Sequence, residues 1–145
     1  MRHVLRFAAL AAAVVTSAAC GRTGDLTSDR TDAPTALVGP TWRLASLDGR
    51  AALPGSRVTA VFAEDGRVAG SAGCNAYTGR ANPSAGRLEV GPLASTRMFC
   101  DVDGVMTQEA AYLGLLEKAT AYRIAGARLE LGPATGAATL VFTME

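Results

Sequence analysis

From Gly39 onward, apolar and polar residues alternate with a period of two in short runs separated by turn residues. The run TWRLASL, residues 41–47, sets Trp42, Leu44 and Ser46 against Arg43 and Ala45. Val58, Ala60 and Phe62 alternate next, then come Asp65 and Gly66, then Val68 and Gly70. An Asp-Gly pair between alternating runs predicts a hairpin. Further strands are predicted over 74–79, over 87–93 with Leu88 and Val90 on one face, and over 122–124, 128–131 and 139–143. Ala125 with Gly126, and the segment 132–136, punctuate the last three.

One longer segment breaks the rhythm. Residues 105–119, VMTQEAAYLGLLEKA, contain no proline and predict a helix. Val105, Tyr112, Leu116 and Ala119 fall on one side at 3.6-residue spacing, with Leu113 close by. Asp101 and Asp103 precede the helix and are expected to cap it and to complement its dipole. About eight short strands and one late helix argue for a mainly β (α+β) fold, an antiparallel, closed or nearly closed β-barrel. Closure protects the strand edges, and the helix is expected to cover an open end.

The first residues follow another pattern. MRHVLR is a short positive segment, FAALAAAVV is an apolar run too short for a permanent membrane span, and TSAAC leads with small residues to Cys20. Residues 1–20 therefore read as an export signal. Ser17, Ala18 and Ala19 suit ordinary signal-peptidase cleavage. They also suit a lipobox, with Ser17 in place of the usual Leu, in which Cys20 is acylated. Three cysteines leave an odd one in an exported protein. Lipid on Cys20 would leave Cys74 and Cys100 as an even pair, which favours the lipoprotein-type signal. Residues 21–38 are polar and aperiodic, as in a flexible tether. The globular domain is expected over 39–145, outside the cytoplasm and lipid-anchored to the outer face of the cell membrane, with secretion as the alternative.

Composition narrows the possible chemistry. The formal charge is +1, and loss of residues 1–20 would remove Arg2 and Arg6 and tip it slightly negative. No basic run remains, so nucleic-acid binding is not expected. Aromatics make up only 6%, so the core is expected to be aliphatic. His3, the only histidine, lies in the export segment, which removes Ser-His-Asp and Cys-His catalysis and histidine-containing zinc sites from the domain. CDVDG resembles the start of a calcium loop, but Tyr112 occupies the position where the closing Glu belongs. The remaining acidic residues read as a solvated surface. No metal, cofactor or catalytic residue is expected, and the chain is expected to be a monomer.

Cys74 stands in GSAGCNAYTG, residues 70–79. Without histidine it has no base, and without more soft ligands it holds no metal. In an oxidising compartment a disulfide with Cys100 remains, worth roughly 3–4 kcal/mol by chain-entropy reckoning. The competing arrangement is two separate buried thiols. Asn75, next to Cys74 and near glycines, reads as a turn former.

Trp42-Arg43-Leu44, GSAGCNAYTG, LASTRMFC at 93–100, Gln108-Glu109 and the final TLVF, taken in this order, resemble the META domain family (HslJ-like) over about residues 39–145. Phe99 departs from the pattern, since a small residue is commoner there. The resemblance implies an antiparallel barrel of lipocalin-like outline with a packed helix, and two cysteines close together. It implies a bacterial protein that is exported or lipid-anchored and linked to envelope stress and antibiotic tolerance. It brings no catalytic activity or cofactor.

Glu109 projects from the apolar side of the helix, where a carboxylate needs a partner. Bonding to Arg97, or to backbone N–H groups near 95–97, would anchor the helix to the barrel. Asn75, Arg97 and Glu109 are thus expected to form a structural cluster beside the disulfide. The functional expectation is a non-enzymatic envelope module that binds a protein or cell-wall component. The alternative is a carrier with a small ligand inside the barrel.

Overall fold

The structure, a computed structural model, describes residues 34–145. The expected export signal, Cys20 and most of the expected tether lie outside the described residues. Described first is a single helical turn, α1 (Pro34–Leu37). Leu37 is fully buried, and its carbonyl accepts a 3.0 Å hydrogen bond from the Trp42 indole nitrogen. Val38 bridges to Phe62. The packed part of the chain therefore begins ahead of the expected boundary at Gly39, and residues at the close of the expected tether belong to the core.

The strands are β1 (Thr41–Leu47), β2 (Arg50–Ala51), β3 (Thr59–Phe62), β4 (Arg67–Ser71), β5 (Ala76–Ser84), β6 (Arg87–Val90), β7 (Ala94–Ser95), β8 (Ala121–Ala125), β9 (Arg128–Gly132) and β10 (Leu140–Met144). A helix, α2 (Val105–Glu117), separates β7 from β8. Eight strands form a closed ring, β1-β3-β4-β5-β6-β8-β9-β10 and back to β1, every pair antiparallel. The short β2 and β7 add to β1 and β5. The expected barrel class is thus observed. Its weakest joint is between β6 and β8, where Arg87 and Ala121 form the one strand register pair.

Local chemistry explains the strand boundaries. Asp65 and Gly66 turn β3 into β4 as expected, with the Asp65 carboxylate accepting from the Arg67 N–H at 3.1 Å. The strand expected over 74–79 starts only at Ala76, because the N–H groups of Cys74 and Asn75 bond a side chain instead of a neighbouring strand. The strand expected over 87–93 is split. β6 stops at Val90 before Gly91 and Pro92, which lacks an N–H for the ladder. β7 then resumes pairing with β5 at Tyr77 and Thr78. Gly70 has no room for a side chain: a Cβ there would lie 2.0 Å from the Thr59 carbonyl oxygen.

α2 follows the expected range closely, but its cap differs. Gly104 is the N-cap, at φ 78°, and no side-chain bond caps the helix. Asp101 and Asp103 stay exposed. The left-handed backbone that starts the helix suits glycine and points the preceding carboxylates elsewhere.

The core is more aromatic than the composition suggested. Trp42, Tyr112, Phe62 and Phe142 are the largest fully buried side chains, joined by Leu88, Leu116, Leu129, Leu131 and Leu140. The few aromatics are concentrated inside. Tyr112 of α2 stands edge-on to Tyr77 and Phe142, at 5.6 and 6.3 Å between ring centres, so the helix fills the barrel end with its own side chains.

Candidate functional site

α2 grips the barrel end through two adjacent polar residues on its buried side. Gln108 accepts from the Leu53 N–H at 2.6 Å and donates to the Ser56 hydroxyl at 2.9 Å. This fastens the loop between β2 and β3. Glu109 fastens the turn between β4 and β5. One of its oxygens accepts from the N–H groups of Asn75 and Cys74 at 2.8 and 3.2 Å, and the other from the Asn75 amide at 2.6 Å. Its partners are these donors and not Arg97, which is exposed and makes no hydrogen bond or ion pair with Glu109 among the described residues. The backbone donors belong to 74–75, one loop away from the expected 95–97.

Asn75 is the centre of the cluster. Its amide nitrogen also donates to the Met98 carbonyl at 3.1 Å. Its amide oxygen accepts from the Met98 N–H and the Thr96 hydroxyl, both at 2.7 Å. Every polar atom of this buried side chain is engaged, which rigidifies what it touches. Asn75 does sit in a turn, as its neighbours suggested, yet its side chain ties three chain segments together. Beside it, Cys74 and Cys100 form a disulfide, with Cα atoms 5.9 Å apart. The sequence reasoning brought Asn75, Glu109 and the cystine to one place and misplaced Arg97. It named Gln108 in a motif but gave it no anchoring role, although its position one residue before Glu109 on the helix was the available signal.

These constraints hold up a loop that is otherwise bare. Met98, Phe99 and Val102 are 57%, 80% and 61% exposed. Arg97, Asp101 and Asp103 are exposed among them. The apolar side chains are not there for want of restraint: Asn75 pins the loop at Met98 and the disulfide pins it at Cys100. Alongside runs a surface groove of about 520 Å³, lined by Leu47, Asp48, Arg50, Ala51, Leu53, Gly104, Thr107, Gln108 and Ala111. Loop and groove meet at Gly104.

Strand direction places this end opposite α1. β1 runs from Thr41, beside α1, to Leu47, which lines the groove. Val38 bridges to Phe62 at the far end of β3, while Val58 before β3 bridges to Ala72 near Cys74. The chain thus enters at one end of the barrel and shows the bare loop at the other.

Elsewhere, titratable groups serve the structure. The Tyr77 hydroxyl donates to the Thr59 carbonyl at 3.0 Å and lies 2.6 Å from the Tyr112 hydroxyl. Burial pushes both phenols well above their usual range, so they stay protonated. On the outer face of β8 and β9, hydrogen bonds from Arg123 and then Arg128 hold Glu130 below the usual carboxylate range. No buried side-chain polar atom lacks a partner, and no group of metal-ligating side chains forms, among the described residues.

Fold and site together define a class: a closed antiparallel barrel plugged by one helix, with a cystine and an Asn-Glu pair at the plugged end. The sequence model of the META domain matches residues 35–145. The chain belongs to the META domain family. Two solved structures are similar to it, both determined by NMR. One is 25% identical, with a TM-score of 0.62, over 77% of this chain and 94% of that one. The other, from Burkholderia xenovorans, is 28% identical, with a TM-score of 0.58, over 77% of this chain and 85% of that one. A comparison with curated proteins finds no match.

Proposed function

We propose that this META domain is a non-enzymatic recognition module of the cell envelope, held to the outer face of the membrane by lipid on Cys20 and acting through its helix-plugged end. The observation that carries this reading is the rigid display of Met98, Phe99 and Val102. Burial of such side chains is normally favourable, and a large exposed apolar patch marks a contact surface. Fixing the loop beforehand lowers the entropy lost on contact. The filled interior supports surface recognition over a carrier role, since Trp42, Phe62, Tyr112 and Phe142 occupy the space a ligand would need. A role in envelope stress and antibiotic tolerance accords with the leader of residues 1–20 and the polar tether.

The test uses two variants in cells. Cys20→Ala should move the protein from the membrane fraction to the soluble exported fraction. Phe99→Ser should leave folding and anchoring intact yet reproduce the stress sensitivity of a deletion. A Phe99→Ser strain with wild-type tolerance, alongside a sensitive deletion strain, would overturn the reading.

A further inference from the structure

The bare loop and the neighbouring groove are complementary in polarity and charge, and both sit on the same end of one molecule. We infer that this end binds a second copy of the chain, each Phe99 entering the other copy's groove. The inference rests on the reading of this end as a recognition surface and names the partner. The groove, at about 520 Å³, falls within the size of pockets that hold compact ligands, roughly 300–1,000 Å³. Its apolar wall is built from Leu47, Leu53 and Ala111, and Asp48 and Arg50 supply both signs of charge. The loop carries the matching set: Arg97 for Asp48, Asp101 and Asp103 for Arg50. Among the described residues, none of these five is held in an ion pair within its own chain.

A loop cannot fill the groove of its own molecule. Met98 is fixed to Asn75 and Cys100 to Cys74, so Phe99 is held out in solvent and the ring must come from elsewhere. Knob and groove adjoin at Gly104, so a twofold axis passing between them satisfies both at once. Such an interface closes on itself and gives a dimer, not a filament. A lipid surface fits less well, because Asp101 and Asp103 flank Val102 and would face anionic headgroups.

The test is sedimentation velocity on the purified chain with its disulfide intact, from micromolar to millimolar concentration. A reversible dimer is expected. Phe99→Ser and Arg50→Glu should each raise its dissociation constant by about tenfold or more, and Arg50→Glu combined with Asp101→Arg should recover most of the loss. Thermal melts on all three check that folding is unchanged. A monomer throughout, or a dimer indifferent to these changes, overturns the proposal. Two further arms separate the failures. A monomer that binds phosphatidylglycerol vesicles through Phe99, or that cross-links in cells from residue 99 to a different protein, overturns self-association and leaves the recognition role standing. A monomer silent in both arms removes the two together.

Discussion

Glu109 and Asn75 form a pair in which each atom's role is dictated by its neighbours. Three N–H groups converge on the Glu109 carboxyl, and an amide in its place would point an NH2 at one of them. Glu109→Gln should therefore cost about 2 kcal/mol, since a buried donor left without an acceptor is worth roughly 1–3 kcal/mol. The check is a thermal melt, with Tm expected to fall by about 8 °C. An unchanged Tm would mean the carboxyl is not the anchor. A carboxylate on the apolar side of a helix made the need for partners legible in the sequence. The partners themselves were not, because two of the three donors are backbone N–H groups, which every residue carries. Phe99 was visible as a departure from the family pattern, but only its exposure gives that departure meaning.

At the scale of elements, helix and hairpins were written in local patterns, and they form where the patterns lie. The errors fall where a non-local bond wins. Cys74 and Asn75 look like the start of a strand, yet Glu109 claims their N–H groups. Asp101 and Asp103 look like caps, yet Gly104 turns the backbone away from them. The β8–β9 hairpin offers a test of element stability against pH. Arg123 and Arg128 lower the folded-state pKa of Glu130. Their contribution is therefore complete above the usual carboxylate range and fades as acidification carries pH through the lowered value. Glu130→Gln should be less stable than the parent at neutral pH, by less than about 1 kcal/mol for so exposed a cluster. The difference should close in acid, as followed by denaturant midpoints across pH. A gap that widens on acidification would contradict the assignment.

For the whole molecule, strand count and alternation were enough to anticipate a closed or nearly closed barrel, whereas which strands meet to close it was not legible. β1 meets β10, and β6 meets β8, across long stretches of sequence, and no local pattern specifies a partner so far away. The β6–β8 joint is also the place where backbone bonding is sparsest. Besides the Arg87 and Ala121 pair, it rests on the Leu88 N–H bonding the Thr120 carbonyl at 3.0 Å and the Tyr122 N–H bonding the Gly86 carbonyl at 2.9 Å. Opening there exposes little compared with other joints, so amide exchange should be faster at Leu88 and Tyr122 than at Arg43 or Thr143, which face each other across the β1–β10 joint. Equal protection at both joints would argue that the ring opens only as a whole.

The pairing of β1 with β10 bears on how the protein is made. A ribosome delivers Trp42 and Leu44 long before Phe142 and Met144, their partners across the ring. Until those arrive, the first stave lacks a complete neighbour, so the growing polypeptide has no finished barrel to collapse into. A fold that waits for its final strand stays an open thread through most of its synthesis.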